Sequence, residues 1–241
     1  MSVIEVKDVS VIYQSKNKST VALDKLSAVF GEGINVIVGY SGCGKTTLLK
    51  AICGQVEYDG QISIDGIDIE CMATQDRNLA YVSQEYVLYP QYTVFDNIAF
   101  PLKQLGAGRD EIVRRVKEIA SLTGLSACLT RNPKHISGGQ QQRVAIARAL
   151  VKQPSVCLMD EPFSNVDEQT SVSMRVWLKS VFRTIGCTVV YVTHDFKEAY
   201  AMADALYVMD GGKVVASGTP KAVFESGNEV VEALKVGSFA E

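Results

Sequence analysis

Two kinds of hydrophobic patterning divide the chain. Ile34-Asn35-Val36-Ile37-Val38, Val156-Cys157-Leu158-Met159 and Thr188-Val189-Val190-Tyr191-Val192-Thr193 are almost unbroken apolar runs. Such runs read as strands buried on both faces, the pattern of a parallel sheet. Leu79-Ala80-Tyr81-Val82-Ser83-Gln84 predicts another strand, ending in a glutamine. Residues 3–13 and 21–30 instead carry β-branched alternation, for example Val3, Ile4, Val6, Val9 and Val11, about a polar hairpin loop at 14–19. Residues 62–69 read as a turn-broken β pair, and 205–209 with 213–217 as a hairpin about Asp210-Gly211-Gly212. Helical spacing is expected over 47–52, 110–122 (Ile112, Val113, Val116, Ile119, Ala120) and from Val144 to Leu150. Residues 125–133 read as a connector, and short helices follow Pro220.

Candidate chemistry sits where the apolar runs end. After Val38 comes Gly39-Tyr40-Ser41-Gly42-Cys43-Gly44-Lys45-Thr46-Thr47, which fits the phosphate-binding pattern G-x-x-x-x-G-K-[ST]. Its glycines let backbone N–H groups approach phosphate oxygens, and the helix start adds unpaired N–H groups and a positive dipole end. Lys45 would reach the β- and γ-phosphates and Thr46 would bind Mg²⁺. A bare glycine turn would not require Lys45-Thr46. Cys43 sits at this helix start, where a lowered thiol pKa is expected, although an inert spacer between glycines is an equally good reading.

Ser137-Gly138-Gly139-Gln140 opens the helix that continues through Leu150. Ser137 is a natural N-cap. Two glycines weaken a helix by up to ~1 kcal/mol each relative to alanine, so close approach of an anion is a reason for them. Asp160-Glu161 follows an apolar strand and brings two carboxylates to its C-terminal end, where open α/β sheets bind ligands. Asp160 would hold Mg²⁺, and Glu161 would orient or deprotonate a water. His194 ends another strand within reach of a γ-phosphate, whereas His135 reads as an exposed side chain. Tyr13 ends the first strand; it could stack on a base, but a half-buried strand aromatic is the simpler reading from the residue alone. Six of the 18 Tyr and Phe residues fall within 81–100, which suggests a small local core or a partner-binding surface.

Composition narrows the setting. A chain of 241 residues can bury one sizeable core. The net charge of −3 is no electrostatic footprint for nucleic acid. The six cysteines form no C-x-x-C pair, so metal ligation by them is not expected, and Cys157 and Cys187, in or beside apolar runs, are expected to be buried reduced thiols. The first residues do not read as a signal peptide, and no run approaches the ~18 apolar residues of a membrane span.

Taken in order, the phosphate loop, Gln84, Ser137-Gly138-Gly139-Gln140, Asp160-Glu161, Asp167 and His194 resemble the ATP-binding subunit of ABC transporters over nearly the whole chain. The resemblance implies an α/β fold: a P-loop NTPase core with a mostly parallel sheet, an antiparallel β subdomain, a helical subdomain inserted over about 85–155, and a helical tail over 218–241. It assigns ATP contacts to Tyr13 (adenine stacking, which replaces the simpler reading above), Gly39, Tyr40, Ser41, Gly42, Cys43, Gly44, Lys45, Thr46, Thr47, Ser137, Gly138, Gly139, Gln140 and Asp167. Mg²⁺ would be held by Thr46, Gln84 and Asp160. Glu161, His194 and Gln84 would be the catalytic residues. Ile136 and Asn165-Val166 are mild departures from the family pattern, and the 54–60 linker looks short.

The implied mechanism is a head-to-tail dimer of identical or related ATPase subunits that ATP closes and hydrolysis reopens. It would drive membrane permease subunits from the cytoplasmic side of the membrane, with a solute-binding protein as a further partner. The stretch 89–102 looks like that of importers for sugars, polyamines and related solutes. Sugar-importer ATPases often carry a further regulatory domain, and a chain ending at Glu241 is expected to lack one. An exporter or lipoprotein-release ATPase, or a soluble ATPase of iron–sulfur assembly, is the alternative.

Overall fold

A computed structural model describes residues 2–15, 18–164 and 168–239. Two sheets face one another across helix α1 (Lys45–Cys53). The larger has six strands in the order β10-β9-β3-β8-β7-β6. These are β3 (Ile34–Val38), β6 (Leu79–Val82), β7 (Val156–Asp160), β8 (Thr188–Thr193), β9 (Ala205–Asp210) and β10 (Lys213–Gly218). Strand β10 is antiparallel to β9, and every other pairing is parallel. The smaller sheet is antiparallel, in the order β2-β1-β4-β5: β1 (Ile4–Ser15), β2 (Lys18–Phe30), β4 (Asp59–Ile64) and β5 (Ile67–Asp68).

The unbroken apolar runs follow from this layering. Side chains alternate across a strand, and both faces of the large sheet are covered. Val36, Val38, Cys157, Met159, Val189 and Tyr191 point to one core. Ile37, Val156, Leu158, Val190 and Val192 point to the other, shared with α1 and the antiparallel sheet. Helices α2 (Val94–Gln104), α3 (Arg109–Leu122), α4 (Gly138–Leu150), α5 (Glu168–Ile185) and α6 (Phe196–Met202) contribute to the first core. The chain continues into α7 (Pro220–Phe224) and α8 (Glu229–Phe239).

Most expected elements are present, with shifted ends. The helix expected from Thr47 begins at Lys45. The strand expected over 79–84 stops at Val82, so Gln84 lies in an exposed bend. The 205–217 hairpin turns through Gly211 and Gly212, both at positive φ (51° and 78°), the conformation a two-residue type I′ turn needs. Cys157 and Cys187 are buried free thiols, and His135 is exposed. Among the described residues, no helix is long and apolar enough to cross a membrane.

Candidate active site

The phosphate loop is shaped by contacts that leave no room for side chains. A Cβ on Gly39 would lie 2.2 Å from the Met209 carbonyl oxygen. Gly44 has φ 108°, and a Cβ there would lie 2.4 Å from the Ala22 carbonyl oxygen. Glycine is required at both positions. The loop therefore packs on β2 and on the end of β9, and Gly212 N–H donates to the Cys43 carbonyl at 3.0 Å. Lys45 is only 5% exposed. Its ammonium donates to the carbonyls of Gly39 (2.7 Å) and Tyr40 (2.9 Å), inside the loop's own curve. Tyr13 is 44% exposed, and its hydroxyl lies 3.4 Å from Thr47 Oγ1, at the first turn of α1.

Cys43 corrects the expectation of a lowered thiol pKa. The residue is buried, and burial pushes the thiol above its ordinary value. The nearby Lys45 charge opposes this without prevailing. The helix N-terminus favours a thiolate, but the side chain turns into the core, where an ion is poorly solvated.

Asp160, at the end of β7, is 4% exposed. Thr46 Oγ1 donates to its Oδ1 at 3.0 Å, and the Tyr81 hydroxyl donates to its Oδ2, also at 3.0 Å. Burial holds the carboxyl above the usual carboxylate range, against the two donors that favour the anion. Burial, followed by the neighbouring Asp160 charge, pushes the Tyr81 phenol upward. The neighbouring carboxylate points elsewhere. Glu161 takes a left-handed backbone conformation (φ 45°) and its N–H donates to the Val192 carbonyl at 3.0 Å. Its Oε2 lies 3.0 Å from His194 Nδ1. Adjacent acids are thus sent to different partners, one to the loop threonine and one to the histidine.

The residues flanking His194 form a polar cluster that ties β8 to α6. Thr193 Oγ1 donates to Glu198 Oε2 at 2.8 Å, and the Tyr191 hydroxyl donates to Glu198 Oε1. Asp195 caps α6 by accepting from the N–H groups of Lys197 (2.7 Å) and Glu198 (3.2 Å). Burial raises the Glu198 carboxyl pKa despite its two hydroxyl donors. A cavity of about 790 Å³ brings Tyr40, Ser41, Glu161, Ser164, Arg175 and His194 to one place.

The Ser137 segment is a complete capping box. Ser137 Oγ accepts from Gln140 N–H at 3.3 Å, and Gln140 Oε1 accepts from Ser137 N–H at 3.1 Å. Ser137 and Gly138 are exposed, and nothing lies within 4 Å of a Cβ built on Gly138. Among the described residues, no hydrogen bond joins 137–140 to the phosphate loop. Two residues further along α4, the buried Gln142 donates through Nε2 to the Pro162 carbonyl, just after Glu161. Among the described hydrogen bonds, none brings Gln84 to Thr46, Asp160 or Glu161. Asp167, with Asn165 and Val166, lies outside the described residues.

Sequence reading did not single out Tyr81, Glu198 or Gln142 for the site. Tyr81 pairs with Leu158 across β6 and β7, so it shares a sheet face with Asp160 two positions on. That diagonal is within reach of a long aromatic, but the strand pairing has to be known before it can be used. Glu198 stands in the first turn of α6 after the Asp195 cap, where an acid is ordinary in an exposed helix; only its burial distinguishes it.

The chain belongs to the ABC transporter family, whose profile matches residues 24–164. It is 46% identical over 196 residues to a molybdate/tungstate import ATP-binding protein, WtpC, of Pyrococcus abyssi, covering 79% of this chain and 56% of that protein. It is 46% identical over 210 residues to a trehalose/maltose import ATP-binding protein, MalK, of Thermococcus litoralis, covering 84% and 56%. It is 43% identical over 234 residues to an sn-glycerol-3-phosphate import ATP-binding protein, UgpC 3, of Rhizobium johnstonii, covering 95% and 67%. The chain thus spans between about half and two thirds of the length of these curated relatives.

Proposed function

We propose that this chain is the ATP-hydrolysing, energy-coupling subunit of an importer of small solutes. The Glu161–His194 contact at 3.0 Å carries the reading. It joins Glu161, the base in this reading, to His194, its orienting partner, one residue beyond Asp160, which is itself tied to the phosphate loop through Thr46. The three curated relatives above are named as import ATP-binding proteins, and their printed solutes differ in chemistry. They therefore support import as a class and leave the solute open.

In this reading the triphosphate of ATP lies on the N–H groups of 39–47, and Tyr13 stacks on the adenine. Lys45 leaves the Gly39 and Tyr40 carbonyls for the β- and γ-phosphates. The donors at Asp160, Thr46 and Gln84 are hard oxygens, the set Mg²⁺ prefers, with substrate phosphates completing the shell. Bound Mg²⁺ neutralises charge on the β- and γ-phosphate oxygens. Glu161 orients and deprotonates the attacking water while His194 fixes its carboxylate and meets the γ-phosphate.

The exposed cap at 137–140 serves a second copy or a related subunit, so each ATP is held between two helix starts and Asp167 faces the partner. Closure by ATP and reopening on hydrolysis follow from differential contacts with the two states. We read 85–155 as the helical subdomain of a single ATPase domain with a helical tail at 218–241. A groove lined by Tyr86, Tyr89, Phe100, Pro101 and Arg148 is its surface for permease subunits on the cytoplasmic face of the membrane. A solute-binding protein completes the importer.

The test is Mg²⁺-dependent phosphate release from ATP by the chain copurified with its permease. Turnover lost in Lys45→Ala supports the reading. Turnover that survives Lys45→Ala, or a chain that neither binds nor hydrolyses ATP, rejects it.

A further inference from the structure

We propose that Tyr81 is a positioning residue for the metal-binding carboxylate: its hydroxyl fixes Asp160 Oδ2 so that the acid presents its free lone pairs to the phosphate loop. The inference rests on the functional reading above and deepens it.

Asp160 has two anchors from two different elements. Thr46 at the start of α1 holds Oδ1, and Tyr81 on β6 holds Oδ2, each at 3.0 Å. An ionised carboxylate offers about four lone-pair sites. One donor on each oxygen leaves one site on each free, and it also fixes the plane of the group. With Thr46 alone, the carboxylate could rotate about its own χ2, a broad torsion for aspartate. A metal held by Thr46 would draw that hydroxyl away from Oδ1, which makes the second anchor the steadier one.

Tyr81 can serve because its ring is itself held. Its body packs against the core that includes Leu158 and Leu79, and its β6 register opposite Leu158 aims the hydroxyl two residues along β7. The phenol is a neutral donor that adds no charge to the site, unlike a lysine or arginine there. Groups that orient a metal-binding side chain are worth about 10–100-fold in metal affinity.

Tyr81→Phe removes the hydroxyl and keeps the ring. The expected result is a roughly 10-fold weaker apparent affinity for Mn²⁺ in the presence of ATP, measured by electron paramagnetic resonance and by Mg²⁺ competition. Binding of a fluorescent ATP analogue in EDTA should be unchanged. That split separates positioning from packing, since a merely structural defect would weaken metal-free binding as well. Equal metal titrations for Tyr81→Phe and wild type would overturn this inference and leave the ATPase reading standing. An equal loss with and without metal would assign Tyr81 to packing and overturn it too. A wild-type chain that bound no metal–nucleotide complex would overturn the functional reading, and this inference with it.

Discussion

His194 Nδ1 and Glu161 Oε2 lie 3.0 Å apart although 33 residues separate them. Parallel pairing of β7 and β8 sets Asp160 opposite Val192, so both chains leave the sheet at the same edge. The left-handed turn at Glu161 then carries its side chain away from Asp160 and toward the histidine. A non-glycine residue at φ 45° costs of order 1 kcal/mol, and here the strain accompanies the separation of two adjacent carboxylates.

Removing the proposed base while keeping the shape should stop the reaction after binding. Glu161→Gln is expected to retain ATP affinity and to lose about 10²–10⁴-fold in hydrolysis. Equilibrium binding and single-turnover phosphate release measure the two separately. Turnover within a few-fold of wild type would move the base elsewhere.

Asp160 ties function to stability. Burial raises its folded-state pKa above the unfolded value. A group shifted this way contributes stability that is full below the unfolded pKa and lost as pH rises through the folded one. At neutral pH the buried anion therefore weakens the nucleotide-free fold. Asp160→Asn keeps polar atoms facing Thr46 and Tyr81 and removes the charge. It should raise the neutral-pH Tm. The gain should shrink as pH falls toward the ordinary carboxylate range, and Mg²⁺-dependent nucleotide binding should be lost throughout. Thermal scans from acid to neutral pH would check this, and a constant offset between the two proteins would contradict the assignment.

Much of this was legible along the sequence because it is local. The apolar runs are nearly continuous since the β3, β7 and β8 side chains fill cores on both faces of the sheet. The phosphate loop and the Ser137 cap are contiguous motifs. What was hidden depends on pairing between distant segments: Tyr81 reaches Asp160 only through the β6–β7 register, and Gln142 meets Pro162 only because α4 packs over that turn. Cys43 stayed open between two readings for the same reason, since its position in the sequence shows the helix start and not the direction of the side chain.

That thiol supplies a kinetic prediction. Burial and a raised pKa leave little Cys43 thiolate near neutral pH. Its alkylation by iodoacetamide should be several-fold slower than that of the exposed Cys71 at pH 7.5. The Cys43 rate should still be climbing with pH above the ordinary thiol pKa of about 8.5. Peptide-resolved mass spectrometry over time would separate the two sites. Rapid labelling of Cys43 at neutral pH would restore the activated-thiol reading.

The exposed cap at Ser137 tests whether the second half of each site comes from another subunit. Among the described residues the Ser137 side chain makes one hydrogen bond, from Gln140 N–H at 3.3 Å, and none to Lys45, Thr46 or Asp160. Losing an N-cap costs about 0.5–2 kcal/mol, which a fold of this size should tolerate. Ser137→Arg is therefore expected to fold and to bind ATP at its own phosphate loop with near wild-type affinity. In the proposed dimer the long cation would occupy the space in which the partner's ATP meets Gly138 and Gly139. In a Glu161→Gln background, where bound ATP persists, the parent should elute as a dimer with Mg²⁺–ATP and the Ser137→Arg double variant as a monomer. In an equal mixture the parent should still form its own dimer while the double variant stays monomeric, because each mixed pair still has one blocked site. An ATP-dependent dimer of the Ser137→Arg double variant would mean that 137–140 does not meet the partner's nucleotide, and that the capping box is only the start of a helix.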